Sequence, residues 1–239
     1  MREELEILRS ELYKSCSELY KIESNTITVE PDFTFESNIE LKDKERSCKI
    51  YPFFFGEIPK YVFEWDGCPI FEISSTNLQR QGELIINWVL EKSMPSTMQS
   101  QFPEIKLSEL ARYYERGEGI KGEFIESWNL TEETSYDLFS LDPNQYHAEK
   151  YIIKLIKEMR TFQLDKSLRI GTSLSHLILS RSKRQTNHEK IPHISIYFLG
   201  DDKMKITSNL NSEDSVETEV KYKGYLEEMV KKLLKEEIK

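Results

Sequence analysis

Cysteine is scarce in this 239-residue chain. Cys16, Cys48 and Cys68 lie far apart, with no CxxC or Cys/His spacing that would grip zinc. An odd number of dispersed thiols fits a reducing compartment and not a disulfide framework. Glycine (9) and proline (8) are too few for collagen-like or Gly/Ser low-complexity sequence. No apolar run approaches the roughly 18 residues of a membrane-spanning helix, so no membrane partner is expected. Positive charge is in deficit: 33 Lys and Arg against 42 Asp and Glu give a formal charge of −9. Such a balance repels polyphosphate and sets nucleic acid aside as the main partner. The N-terminal MREELEILRSEL carries acids and a helical pattern where a secretory signal needs a basic start and an apolar block. The expectation is a soluble, cytoplasmic protein.

What is present is rich in aromatics, with 12 Phe, 12 Tyr and 3 Trp, which argues for a packed core and against disorder. Leu5, Leu8, Leu12, Cys16 and Leu19 recur at helical spacing. The period then changes to two, with Ile27 and Val29, and Phe33 and Phe35, alternating with polar residues. CKIYPFFF holds a third strand, with Pro52 marking an edge or bend. Tyr61, Phe63 and Trp65 face one way before Asp66-Gly67, a type I′ signal, and Ile70 to Ile73 run back. Residues 77–92 and 107–116 read as helices, and KSMPSTMQSQFPE between them reads as a connection. Asp142-Pro143 with Gln145 predicts the start of another helix, whose core face runs from Ala148 to Met159. SLSHLILS, the stretch around Ile194 to Phe198, Met204 with Ile206, and residues 216–222 read as strands, and a helix from Leu226 to Ile238 closes the chain. The expected fold class is α+β: antiparallel sheet or sheets covered by helices, in the order helix, about five strands, several helices, about four strands, helix. No internal repeat is visible. One α+β domain over 1–239 is expected, with 93–103 as the boundary if it splits into 1–92 and 104–239.

Each chemical motif has a plain alternative. Gly117-Glu118-Gly119-Ile120-Lys121-Gly122 matches GxGxxG, but it follows a helix and carries acids where a pyrophosphate would lie. Gly117 is better read as a left-handed helix cap. His188 and His193 have only Glu189 nearby, short of the third and fourth ligands that zinc needs. Ser175 and His176 are strand neighbours whose side chains point to opposite faces, so they do not form a nucleophile–base pair with each other. Glu132/Glu133, Asp201/Asp202 and Glu227/Glu228 read as solvated pairs. No catalytic residue, metal or cofactor is therefore expected. Charge is uneven: residues 1–150 hold 16 basic and 29 acidic side chains, and 151–239 hold 17 and 13. Arg181, Lys183, Arg184 and Lys190, with His176 and His188, suggest a basic rear patch that suits electrostatically steered docking.

Ala111-Arg112, Glu115, Gly117-Glu118 and Trp128, followed by Leu168-Arg169 and Ser175-His176-Leu177 with Leu179, Ser180 and Arg181, resemble a bacterial family of unknown function. Some of its members are labelled natural-product-biosynthesis proteins. The resemblance covers roughly residues 75–235; it implies a bacterial origin and brings no active-site residue with it. Trp128 reads as a core anchor, and Leu177 and Leu179 as a buried strand face. Two functions follow. The first is a non-enzymatic protein–protein interaction module of immunity or accessory type. The alternative is a small-molecule binder or enzyme whose site is assembled from distant residues. The binding candidates are His176, Arg181, Arg184, Arg112 and Glu118.

Overall fold

The computed structural model describes residues 2–19, 27–30, 38–51, 58–140, 148–173, 176–184, 191–200, 202–210 and 215–239. It divides into two compact units, Met1–Gly117 and Glu118–Lys239. Each unit carries its own five-stranded antiparallel sheet with strands in meander order, so the fold is α+β.

The first unit runs α1 (Arg2–Leu19), β1 (Ile27–Glu30), β2 (Asn38–Asp43), β3 (Arg46–Tyr51), β4 (Lys60–Trp65), β5 (Cys68–Ser74) and α2 (Leu78–Ile85). A π-helical turn (Ile86–Leu90), α3 (Pro95–Gln101) and α4 (Glu109–Glu115) complete it. Strand register sets the core. Ile39, Ile50, Tyr61 and Ile73 form one cross-sheet row, and Leu41, Cys48, Phe63 and Phe71 the next. Leu12 and Cys16 of α1 reach the same core, as do Leu84, Ile85 and Trp88. Burying each such side chain stabilises by about 1.5–3 kcal/mol. The Asp66-Gly67 turn has φ of 51° and 70°, the paired positive angles of type I′. Phe33 and Phe35 lie outside the described residues.

Residues 93–103 are not an open connection. Pro95, whose missing N–H costs nothing at a helix start, opens α3, and Met98 and Phe102 are buried in the first unit's core. The division falls instead at Gly117/Glu118. Gly117, at φ 72°, caps α4 by donating its N–H to Tyr114 O at 3.0 Å. The GxGxxG match therefore links two helices, without the preceding strand that a dinucleotide loop requires.

The second unit runs α5 (Gly119–Ser140), α6 (Ala148–Thr161), a 3₁₀ turn (Leu164–Lys166), β6 (Arg169–Ser173), β7 (His176–Ser180), β8 (His193–Gly200), β9 (Lys203–Ser208), β10 (Val216–Glu219) and α7 (Tyr225–Leu233). The expected helix start at Asp142 lies outside the described residues, and β6 is a fifth strand where four were expected. Leu155 and Met159 of α6 and Leu226 and Val230 of α7 pack on Leu177, Leu179, Ile194 and Ile196. In β10, Val216 and Thr218 pair with core-facing Ile206 and Met204, while Glu217 and Glu219 are exposed.

Helix α5 closes the outer edge of β6 with side chains. Ser127 Oγ accepts the Ile170 N–H (3.2 Å) and donates to Phe124 O (2.6 Å). Trp128 Nε1 donates to Leu168 O at 2.8 Å, and Glu123 pairs with Arg169 at 3.0 Å. The two units thus share one element order, helix, five-strand meander, helix (α1 to α2 and α6 to α7), without a visible sequence repeat. Divided this way, the first unit has 14 basic and 21 acidic side chains (−7) and the second 19 and 21 (−2), which together give −9. The contrast seen on division at residue 150 largely disappears. Among the described residues no helix is long and apolar enough to cross a membrane.

Candidate functional site: a guanidinium between two indoles

Arg46 is the anomaly of the first unit. It follows the Lys44-Glu45 turn, where Lys44 has φ 56°, and opens β3. Strand periodicity puts Arg46 on the same face as Cys48 and Ile50, so its side chain enters the core end of the sheet. Its register partner is Trp65. From the other side comes Trp88, carried by the π-helical turn, in which Glu91 N donates to Ile86 O at 3.0 Å. Trp88 is fixed by its Nε1 donating to Glu64 O (3.1 Å) and by edge-on packing on Phe71 at 5.0 Å.

The guanidinium carbon sits 3.5 Å from the Trp65 ring centroid and 3.8 Å from that of Trp88. The two rings are nearly perpendicular, 83° apart with centroids at 6.3 Å, so they hold the cation in a corner, and the residue is only 1% exposed. Its Nε and Nη1 are buried and make no hydrogen bond. Burial pulls its pKa down to about 10, while the charges of Glu45 and Glu115 act the other way. Among the described residues neither carboxylate forms an ion pair with it. Glu115 accepts the Ser96 N–H at 2.7 Å, and Glu45 lies 3.8 Å from Lys92 Nζ, which also pairs with Asp43 at 3.3 Å. Tyr114 extends the aromatic cluster, 5.3 Å from Trp65.

Magnitudes define the problem. Two desolvated cation–π contacts contribute roughly 2 kcal/mol each. Two buried N–H groups without acceptors cost roughly 1–3 kcal/mol each, and more when charged. The ring contacts and the missing bonds about cancel, so the site holds a buried cation whose donors at Nε and Nη1 are unused.

The residues singled out from the sequence have other employment. Arg181 is half-buried: its Nε donates to Glu236 O (2.9 Å) and Nη1 to Ser167 O (3.2 Å). The backbone around it is also engaged, with Lys183 N donating to Lys239 O (2.6 Å) and Lys239 N to Arg181 O (3.0 Å). Arg181 is thus a clamp inside the second unit and not an exposed patch residue, a correction of the sequence expectation. The reason is that carbonyls left over at the end of α7 and after the 3₁₀ turn need donors. Arg184 is partly buried, and its carbonyl accepts the Ser182 hydroxyl. His176 stacks on Tyr197, centroids 4.4 Å apart. It opens β7 and Arg181 follows the strand's end, so five extended residues put them roughly 16 Å apart. They do not converge. Glu118 pairs with Lys121 at 2.8 Å beside the first turn of α5. Arg112 is exposed on α4, in the other unit. Ser175, His188 and Lys190 lie outside the described residues. Among the described residues no group of three or more His, Cys, Asp or Glu is arranged to hold a metal ion.

Arg46 was missed although a signal existed: Arg46, Cys48 and Ile50 alternate at a spacing of two, and Trp65 ends the facing strand. Comparison with family models, curated proteins and solved structures finds no match. The function is therefore read from the molecule itself.

Proposed function

We propose that the first unit is a binding unit for a small anionic molecule and that Arg46 receives the negative charge. The observation that supports this reading is the buried guanidinium held in the corner between Trp65 and Trp88, with two N–H-bearing atoms without acceptors. A cation in that position strongly favours a bound anion, because the surroundings are already desolvated and the donor is already oriented. The chemistry this supports is recognition: the group holds a permanent charge and does not exchange protons near neutral pH.

The competing proposal is the protein-interaction module. Its support narrows once Arg181 is clamped internally and the two units differ by only a few charges. Native mass spectrometry on the tagged protein, captured gently from its own cells, separates the two. A lone chain carrying a reproducible small-molecule mass, lost in Arg46→Met, is the expected result. A stoichiometric second polypeptide, retained in Arg46→Met and with no small mass present, would overturn the ligand reading in favour of the module.

A further inference from the structure

We draw no further inference here: the strongest candidate, the polar cluster in the core of the first unit where the Tyr61 hydroxyl of β4 and Gln81 Oε1 of α2 make no hydrogen bond and the thiols of Cys16 and Cys48 lie near Tyr61, carries nothing because nothing in the structure shows what would fill it.

Discussion

Replacing Arg169 by Met should destabilise the second unit by about 3 kcal/mol, the lower end of the range for stranding one partner of a buried ion pair. Glu123 is 6% exposed and its Arg169 partner 17%, at 3.0 Å, so the carboxylate left behind is out of reach of bulk water. The lower end applies because some water does reach Arg169. The same guanidinium also donates to the carbonyls of Ser182, at 3.2 Å, and Lys183, which lose a charged donor. Removing both charges together is a different perturbation. The double variant Glu123→Leu with Arg169→Met leaves no stranded ion, so its cost should be well below the sum of the singles, with a coupling of about 2 kcal/mol. Urea unfolding followed by circular dichroism gives the numbers; with a slope of about 2 kcal/mol per molar, Arg169→Met lowers the midpoint by about 1.5 M. All three cysteines belong to the first unit, so thiol labelling in the same samples shows whether that unit is spared. Additive single effects, or a midpoint lowered by less than about 0.3 M, would refute the view that this pair holds α5 to the sheet.

Two further predictions concern other regions. Arg181→Ala should cost about 2–3 kcal/mol through loss of the bonds to Glu236 O and Ser167 O, contrary to the neutrality that an exposed patch residue would show; a thermal melt unchanged within about 1 °C would contradict the clamp. The stability of the first unit should fall between pH 9 and 10. Burial pushes the Cys16 thiol up to about 11 and the Cys48 thiol well above its ordinary value too, against 9.0 for an ordinary thiol. The unfolded chain therefore releases protons that the native core retains, and stability present below pH 9 is lost as pH rises. Two thiols give a loss of about 2 kcal/mol over that unit of pH. Arg46, lowered to about 10 from 12.5, works in the opposite sense as pH approaches 10 and offsets a small part of that loss. Denaturation at pH 8, 9 and 10 checks this; Cys16→Ala with Cys48→Ala should flatten the dependence.

Legibility in the sequence followed how strongly each element obeyed a simple period. The Asp66-Gly67 hairpin, the stripe of α7 and the alternation of β10 were visible because turn chemistry and burial coincide there. Helix α5 was not recognised as a single 22-residue element. Among the described residues its buried stripe sets Glu123, Ser127 and Thr131 at spacings of four beside only two large apolar residues, Phe124 and Trp128, so much of the helical period is written in polar residues, of which Glu123 and Ser127 bond to β6. Strand β6 was hidden for a related reason: it is five residues long, contains Gly171, and depends on α5 for part of its hydrogen bonding. Of the five residues proposed for binding, none belongs to the Arg46 cluster. Charge on the surface and charge in the core look alike in a sequence until strand phase is followed through them, as Arg46 illustrates. The number of strands in the second sheet and the position of the division depend on pairings between residues remote in sequence, which local patterns do not encode.

The side-chain closure of β6 by α5 has a consequence for how the protein fails. A sheet edge is a template on which foreign strands assemble, and here one edge is sealed by a serine hydroxyl, an indole N–H and an ion pair. Those seals are few, and all three depend on one helix. If heat or a mutation loosens α5 while β6 and β7 stay paired, the stretch RIGTS lies bare beside the apolar HLILS strand. Aggregation by edge-to-edge strand addition, preceding global unfolding, is the failure this arrangement predicts, and substitutions along Glu123, Ser127 and Trp128 should lower solubility as well as Tm.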